Sequence, residues 1–400
     1  MDCLWKNKLT KETILQEKYL NEYYISKGTE GLKGLIEVRN YTDKELLSWF
    51  TKYPKFWNTI KPNTLKVKSL YPKINSNIQK LKKAYPALKP SVIYFGVGAF
   101  RTNGTVQGNK VLIGSELTLA DKTTFIDELP SWRQGFYKTQ NSFFELPLLC
   151  THEYIHTQQK ELAETLLNMC LYEGVAEFIS FKVTGTKSNA PAIEFGKANQ
   201  KLVVDKFVAD LFSMPNVYNW MWGENRNELK VRDLGYYIGY EICDRYYNIA
   251  KNKTKAIKEL IELDYTNEKD VTQIVDVTKL LPKSLEELNY DYEKQRPTVI
   301  KLSPFENGSR KVKAGLTKIT IIFSDSLNGK NSGIDFWPLG GDFCPKISTE
   351  RTWSEDKKAW TFEADLLPNK RYQILIPNSF RLSNGIRLKE YLLDFTTGSN

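Results

Sequence analysis

The apolar pattern of this chain changes period at Arg296-Pro297, and the change separates two kinds of architecture. Before it, apolar residues recur at helical spacing. In "YTDKELLSWFTKYPKFW", Leu46, Leu47, Phe50 and Tyr53 share one face behind a Thr42/Asp43 start signal. After it come short alternating runs: "TVIKLSP", "KITIIFS", "WTFEAD", "RYQILIP" and "YLLDFTTG". Gly, Pro, Asn and Ser punctuate them, the pattern of a β-sandwich. The expected fold class is α+β: a mainly helical body with a small β-sheet, then an all-β sandwich.

The helical part has its own internal break. "INSNIQKLKKAYPALKP" is a basic amphipathic stretch ending at prolines. "SVIYFGVGAF" and "NKVLIGSELTL" then read as paired strands on either side of a Gly/Asn turn region. Helix resumes at "LPLLCTHEYIHTQQKELAETLL", with Pro147 suited to a first turn. It continues through "CLYEGVAEFISF", "DKFVADLF", "LGYYIGYEICDRYYNIA" and "KAIKELIEL".

Composition narrows the function classes. With 400 residues and 41% hydrophobic content, the chain can fill two or three domain cores. Its net charge of +10 is spread along the chain rather than blocked into tails. That distribution reads as a solvated surface, and no helix-turn-helix, RNP or finger pattern points to nucleic acid. No apolar run reaches the ~18–20 residues that span a bilayer, so no transmembrane segment is expected. The start, "MDCLWKNKLTKE", has no apolar leader core. Two readings stay open: a cytosolic protein, or an exported one supplied without its leader, for which Cys3 would suit a lipid anchor. Five scattered cysteines without a CxxC pair give no disulfide framework. Cys150, Cys170 and Cys243 sit in apolar helical contexts, as small buried hydrophobes do.

Both histidines of the chain fall in "LLCTHEYIHTQQKEL". On a helix, His152 and His156 lie one turn apart on one face and can reach one metal ion. Two neighbouring core histidines are the competing reading; Glu153 beside the first favours the metal. Rotated about 100° from His152, Glu153 can take a proton from water at an open metal position. Imidazole donors suit Zn²⁺, and a catalytic zinc site wants three protein ligands. "YEGVAEF" supplies Glu173 as the third, with room for the first helix to end and return. Glu177, one turn on, becomes the partner of a ligand histidine rather than an unpaired buried acid, with two solvated surface glutamates as the competing reading. For the oxyanion of acyl transfer, Tyr236, Tyr237 and Tyr240 are candidates, against the alternative of an aromatic core stripe.

"HEYIH" followed by "EGVAE" resembles the gluzincin metallopeptidases, in which HExxH precedes a glutamate ligand on the next helix. More narrowly, the order of "AYPALKPSVIYFGVG", "VLIGSELTLA", "LPSW", the HExxH helix with its trailing "TQQ", "EGVAEF" and "GYYIGYEICDRYY" resembles bacterial predicted zinc-dependent proteases related to gliding-motility lipoproteins. The resemblance implies a zincin-like fold with His152, His156 and Glu173 as zinc ligands and Glu153 as base. It also implies a strand near the metal helix that holds substrate backbone, for which Val111, Leu112, Ile113 and Gly114 are the candidates, with plain sheet core as the alternative. No "GAMEN"-type motif occurs, so aminopeptidase specificity is not implied. "KITIIFSDSLNG", "LLPNKRYQILIP" and "LSNGIRLKEYLLDFTTG" resemble a bacterial Ig-like domain, a spacer or adhesion module outside the cytoplasm. Trp353 and Trp360 there could line a binding face or fill the core.

The expected organisation is an N-terminal helical region (1–64), a zincin-like domain (65–292) and an Ig-like domain (297–400). The expected function is a zinc-dependent peptidase acting on peptide or protein, in an extracytoplasmic setting, with the cytoplasm as the alternative. A non-catalytic surface or assembly protein on a zinc-binding fold is the second reading, and an adhesion protein led by the Ig-like domain the third. Glu153 separates the first two, because a relic has no use for the base.

Overall fold

The computed structural model describes residues 13–139, 142–186, 190–212, 217–222, 229–331, 333–336 and 338–399; Cys3 lies outside them. The chain forms two compact units. One comprises Met1–Val204 with Asn219–Leu280, the other Asp205–Tyr218 with Leu281–Asn400.

In the first unit, helices α1 (Glu30–Arg39), α2 (Asp43–Lys52), α3 (Pro54–Lys66) and α4 (Tyr71–Ala84) precede a small sheet. The start signal of α2 works as its sequence suggests: the Thr42 hydroxyl accepts from the Glu45 N–H at 3.2 Å. Leu46, Leu47 and Phe50 are buried. Strands β1 (Val92–Gly96), β2 (Gly104–Gln107) and β3 (Lys110–Gly114) follow in spatial order β1-β3-β2. β3 is central, parallel to β1 and antiparallel to β2.

Two details differ from the sequence reading. The stretch taken as a turn region contains β2, a four-residue strand joined to β3 through Gly108, whose φ of +57° favours glycine. The "SELT" end of the expected second strand is instead one helical turn, Ser115–Thr118.

Helix α5 (Ser142–His156) starts earlier than expected, and Pro147 lies inside it. Proline lacks the N–H that would serve the carbonyl four residues back. Its own carbonyl is well used: it accepts from Asn77 of α4 at 3.2 Å and from Thr151 at 2.9 Å. Helix α6 (Leu166–Thr184) opens on a Thr165 cap and closes at Gly185 in the left-handed region. It is apolar on nearly every face and packs against α7 (Leu234–Ile249). The two cross where Gly174 meets Gly239. A methyl on Gly174 would overlap the Gly239 backbone, and one on Gly239 would overlap the Cys170 carbonyl. Cys150, Cys170 and Cys243 are all buried free thiols.

The second unit contains helix α8 (Leu285–Gln295), which begins with a Ser284/Glu287 capping box. An antiparallel sheet of β4 (Val299–Ser303), β5 (Gly315–Phe323), β6 (Lys346–Trp353) and β7 (Ala359–Leu366) has the order β4-β5-β7-β6. β8 (Arg371–Ile376) and β9 (Tyr391–Thr396) form an antiparallel pair. Ile319, Ile321, Phe323 and Phe362 from the sheet share one core with Ile374, Leu393 and Phe395 from the pair. Trp360 is buried in that core and Trp353 packs against it. β6 has no counterpart among the strands expected from sequence. It is an edge strand with a register shift between Ile347 and Arg351, so "KISTERTW" shows no clean alternation.

The helix crossing gives a direct test. Gly239→Ala is expected to lower unfolding stability by about 3 kcal/mol through overpacking. Denaturant titration of the full chain checks it; an unchanged midpoint would mean that α6 and α7 are not in such close contact.

Candidate metal centre

Two helices build the centre. α5 brings His152 and His156 to one face, one turn apart, and α6 returns beside it carrying Glu173 and Glu177. The two histidine Nε2 atoms stand 3.0 Å apart. Glu173 Oε2 lies 3.3 Å from each of them. Ligands at about 2.0–2.1 Å from a tetrahedral zinc would be about 3.3 Å from one another, so the donor set fits this ion in number, type and spacing. Two facing imidazole nitrogens and a carboxylate at these distances need a shared cation or proton between them.

Each imidazole is oriented from behind. His152 Nδ1 is 3.1 Å from Glu177 Oε2. His156 Nδ1 is 2.6 Å from Gln159 Oε1. Gln159 is itself fixed, donating through Nε2 to the Tyr172 carbonyl and to the Tyr265 hydroxyl, both at 2.9 Å. When Nδ1–H donates to these acceptors, Nε2 is left free for a metal. The Tyr172 ring stacks on His156, with centroids 4.5 Å apart and planes 13° apart.

The charges follow from burial and proximity. Burial pushes the Glu173 carboxyl up, but His156 and His152 more than offset it and hold it well below the usual range. Burial pushes His152 down, yet hydrogen bonds to Glu173 and Glu177 outweigh it, so this ring keeps a proton unusually tightly when no metal displaces it. Glu153 is buried, and burial raises its carboxyl, with His156 and His152 pulling against it, Glu173 adding to it and Arg39 opposing. A carboxylate tuned upward is the better proton acceptor.

Of the three tyrosines singled out, the structure brings Tyr236 to the cluster: its ring lies over His152 at 6.5 Å and 24°. Tyr237 points elsewhere, its hydroxyl accepting from Gln200 at 3.1 Å. Tyr240 packs on Phe178 and beneath Lys197. Val111, Leu112, Ile113 and Gly114 form the central strand, with their backbone paired on both sides, so they offer no open edge. Their near-continuous apolar character is what a strand buried on both faces requires. The outer strand on that side is β2, and Gly104 at its start meets the centre. A methyl there would lie 2.5 Å from Glu153 Oε1. Gln159 and Gly104 were not among the residues singled out from sequence. Gln159 sits one turn beyond His156 in "HTQQ", a helical offset that could have marked it.

Residues 135–267 match a family described as "Predicted Zn-dependent protease (DUF2268)". That stretch holds His152, Glu153, His156, Glu173, Glu177 and Tyr236. No curated protein matches the chain. Solved structures that resemble it include the crystal structure of the S-layer protein rSbsC(31-844), 12% identical, covering 68% of this chain and 38% of that one, with a TM-score of 0.20. Another is surface layer protein SbsC, domains 1-6, 11% identical, covering 71% and 44%, with a TM-score of 0.20. The chain spans less than half the length of each, and likeness at this level carries no inference about fold or function.

A zinc ion held by His152 Nε2 would have to displace the proton shared there with Glu173. Zinc affinity is therefore expected to weaken as pH falls below that raised value, by about tenfold per unit for one displaced proton. Titration calorimetry at several pH values measures this, and a flat profile would contradict it. Glu177→Ala and Gln159→Ala are each expected to weaken zinc binding about 10- to 100-fold.

Proposed function

We propose that the chain is a zinc-dependent endopeptidase of the gluzincin type, in which His152, His156 and Glu173 hold the ion and Glu153 is the general base. The observation that carries this reading is the convergence of two imidazoles and a carboxylate at ligand spacing, with an upward-tuned Glu153 next to them. The match to a family described as zinc-dependent proteases supports the same class.

Bound zinc supplies Lewis acidity, polarising the scissile carbonyl and acidifying a water. The protein's own residues do the rest. Glu153 removes a proton from the attacking water as the new C–O bond forms. It returns that proton to the amide nitrogen as the C–N bond breaks. Tyr236 stays protonated, because burial and the nearby Glu173 and Asp233 raise its hydroxyl well above the usual range. It can therefore donate a hydrogen bond to the oxyanion. The outer strand β2, rather than β3, is the edge along which a substrate backbone can pair.

The second unit supports reading the C-terminal region as an Ig-like domain, with its sheet and strand pair around one core. An extracytoplasmic setting follows from that reading. Among the described residues no helix is long and apolar enough to cross a membrane.

Zinc content and cleavage of a mixed peptide library, followed by mass spectrometry, test the proposal. The wild type should bind one zinc and cleave. Glu153→Gln should keep the metal and lose about 10²–10⁴ in rate. Tyr236→Phe should lose about 10²–10³ in kcat with KM little changed. A wild type without zinc would overturn the metal site; zinc without cleavage would favour a non-catalytic surface or assembly protein.

A further inference from the structure

The wall facing Glu153 is held from outside the metal centre, by helix α1. That helix grips β2 at both ends. At the far end, Gln107 Nε2 donates to Glu37 Oε2 at 3.1 Å. At the near end, Arg39 Nη2 donates to the Thr102 hydroxyl oxygen at 2.9 Å, and that hydroxyl donates to the Gly104 carbonyl. Gly104 is the residue against which the Glu153 carboxyl rests: a Cβ there would lie 2.5 Å from Oε1 and 2.6 Å from Cδ and Cγ. A line of direct contacts thus runs from Arg39 through Thr102 and Gly104 to Glu153.

The segment has little room to move otherwise. The Asn103 carbonyl accepts from the Gly114 N–H at 2.9 Å, and the Thr102 carbonyl lies against Gly114, where a side chain would overlap it. Thr102 is buried. Arg39 Nε is buried with no hydrogen-bond partner among the described residues. A guanidinium with an unpartnered N–H is an unfavourable filler for a position that needs only packing.

We propose that Arg39 is a positioning residue: through the Thr102 hydroxyl it fixes the Gly104 peptide beside Glu153 and so sets the gap in which that carboxylate meets water and substrate backbone. The catalytic half of this rests on the peptidase reading; the structural half does not. Misplacing reacting groups by a fraction of an ångström to an ångström is enough to slow a reaction strongly without changing the chemistry.

The test uses the full-length, zinc-loaded chain. Arg39→Ala and Thr102→Val should each lower kcat about 10- to 100-fold, with KM within about twofold and zinc stoichiometry unchanged. Thr102→Ser, which keeps the hydroxyl, should restore most of the rate. The double variant should be no slower than the slower single one, because both interrupt one line of contacts. Independently of activity, amide hydrogen exchange across 102–107 should rise about tenfold in Arg39→Ala while α5 stays protected. Unchanged exchange and kcat in both variants would overturn the proposal, as would losses that add in the double variant. A wild type that binds zinc but cleaves nothing would remove the peptidase reading and the catalytic half together. Exchange at 102–107 would still decide whether Arg39 holds the strand.

Discussion

Glu173 is a mostly buried carboxylate held between two imidazoles, and much of the first unit is arranged to make that tolerable. An ionised carboxylate in apolar surroundings is strongly disfavoured unless a cation stands close to it. Here His156 and His152 overcome the burial effect and keep it charged. They can do so only if α5 and α6 run side by side at close range. α6 is apolar on nearly every face, so it must be enclosed by other elements to bring its two acids there. The Gly174–Gly239 crossing supplies one side of that enclosure by letting α7 approach backbone to backbone. The same approach delivers Tyr236 to His152.

The acceptors behind the imidazoles complete the arrangement. Glu177 and Gln159 each take the Nδ1 side, which directs both Nε2 atoms inward. Without a metal, a proton on His152 provides the positive charge that the two carboxylates require. A divalent cation can replace that proton with no change in which atoms face each other. The site is thus shaped as strongly by what holds the histidines as by the histidines themselves.

The parts legible in the sequence are those whose geometry is set within one helix. A separation of four positions between His152 and His156, and again between Glu173 and Glu177, fixes a shared face whatever the rest of the fold does. The meeting of α5 with α6 is readable too, because two acids on one stripe of an otherwise apolar helix need a partner. Choosing among Tyr236, Tyr237 and Tyr240 was not readable: adjacent positions on α7 differ by a rotation that only its packing on α6 decides. Strands told a similar story. β3 is apolar enough to be recognised, but its very apolarity marks it as central and so unsuited to the open-edge role expected of it. β2, "GTVQ", has only Thr105 and Val106 as strand formers, too short a run to stand out, and is held by β3 and α1. The edge strand β6 was missed for a related reason, since a bulged and half-exposed strand keeps no regular alternation.

That dependence of β2 on its neighbours bears on where the working site ends. The candidate donors His152, His156 and Glu173, the proposed base Glu153, and Tyr236 all fall within residues 135–267, the stretch matched to the family described as predicted Zn-dependent protease. Arg39, Thr102 and Gly104 do not. A four-residue outer strand in a three-stranded sheet has little stability of its own. Its place against Glu153 is therefore set by side chains from α1 and by the close approach of the 102–103 backbone to Gly114. The candidate donor set and the placement of Glu153 draw on different segments of the chain for this reason. The proposed donor atoms all come from α5 and α6, whereas the placement of Glu153 also draws on a helix that begins more than a hundred residues earlier. A change in α1 can accordingly leave the donor set intact and still alter what Glu153 faces.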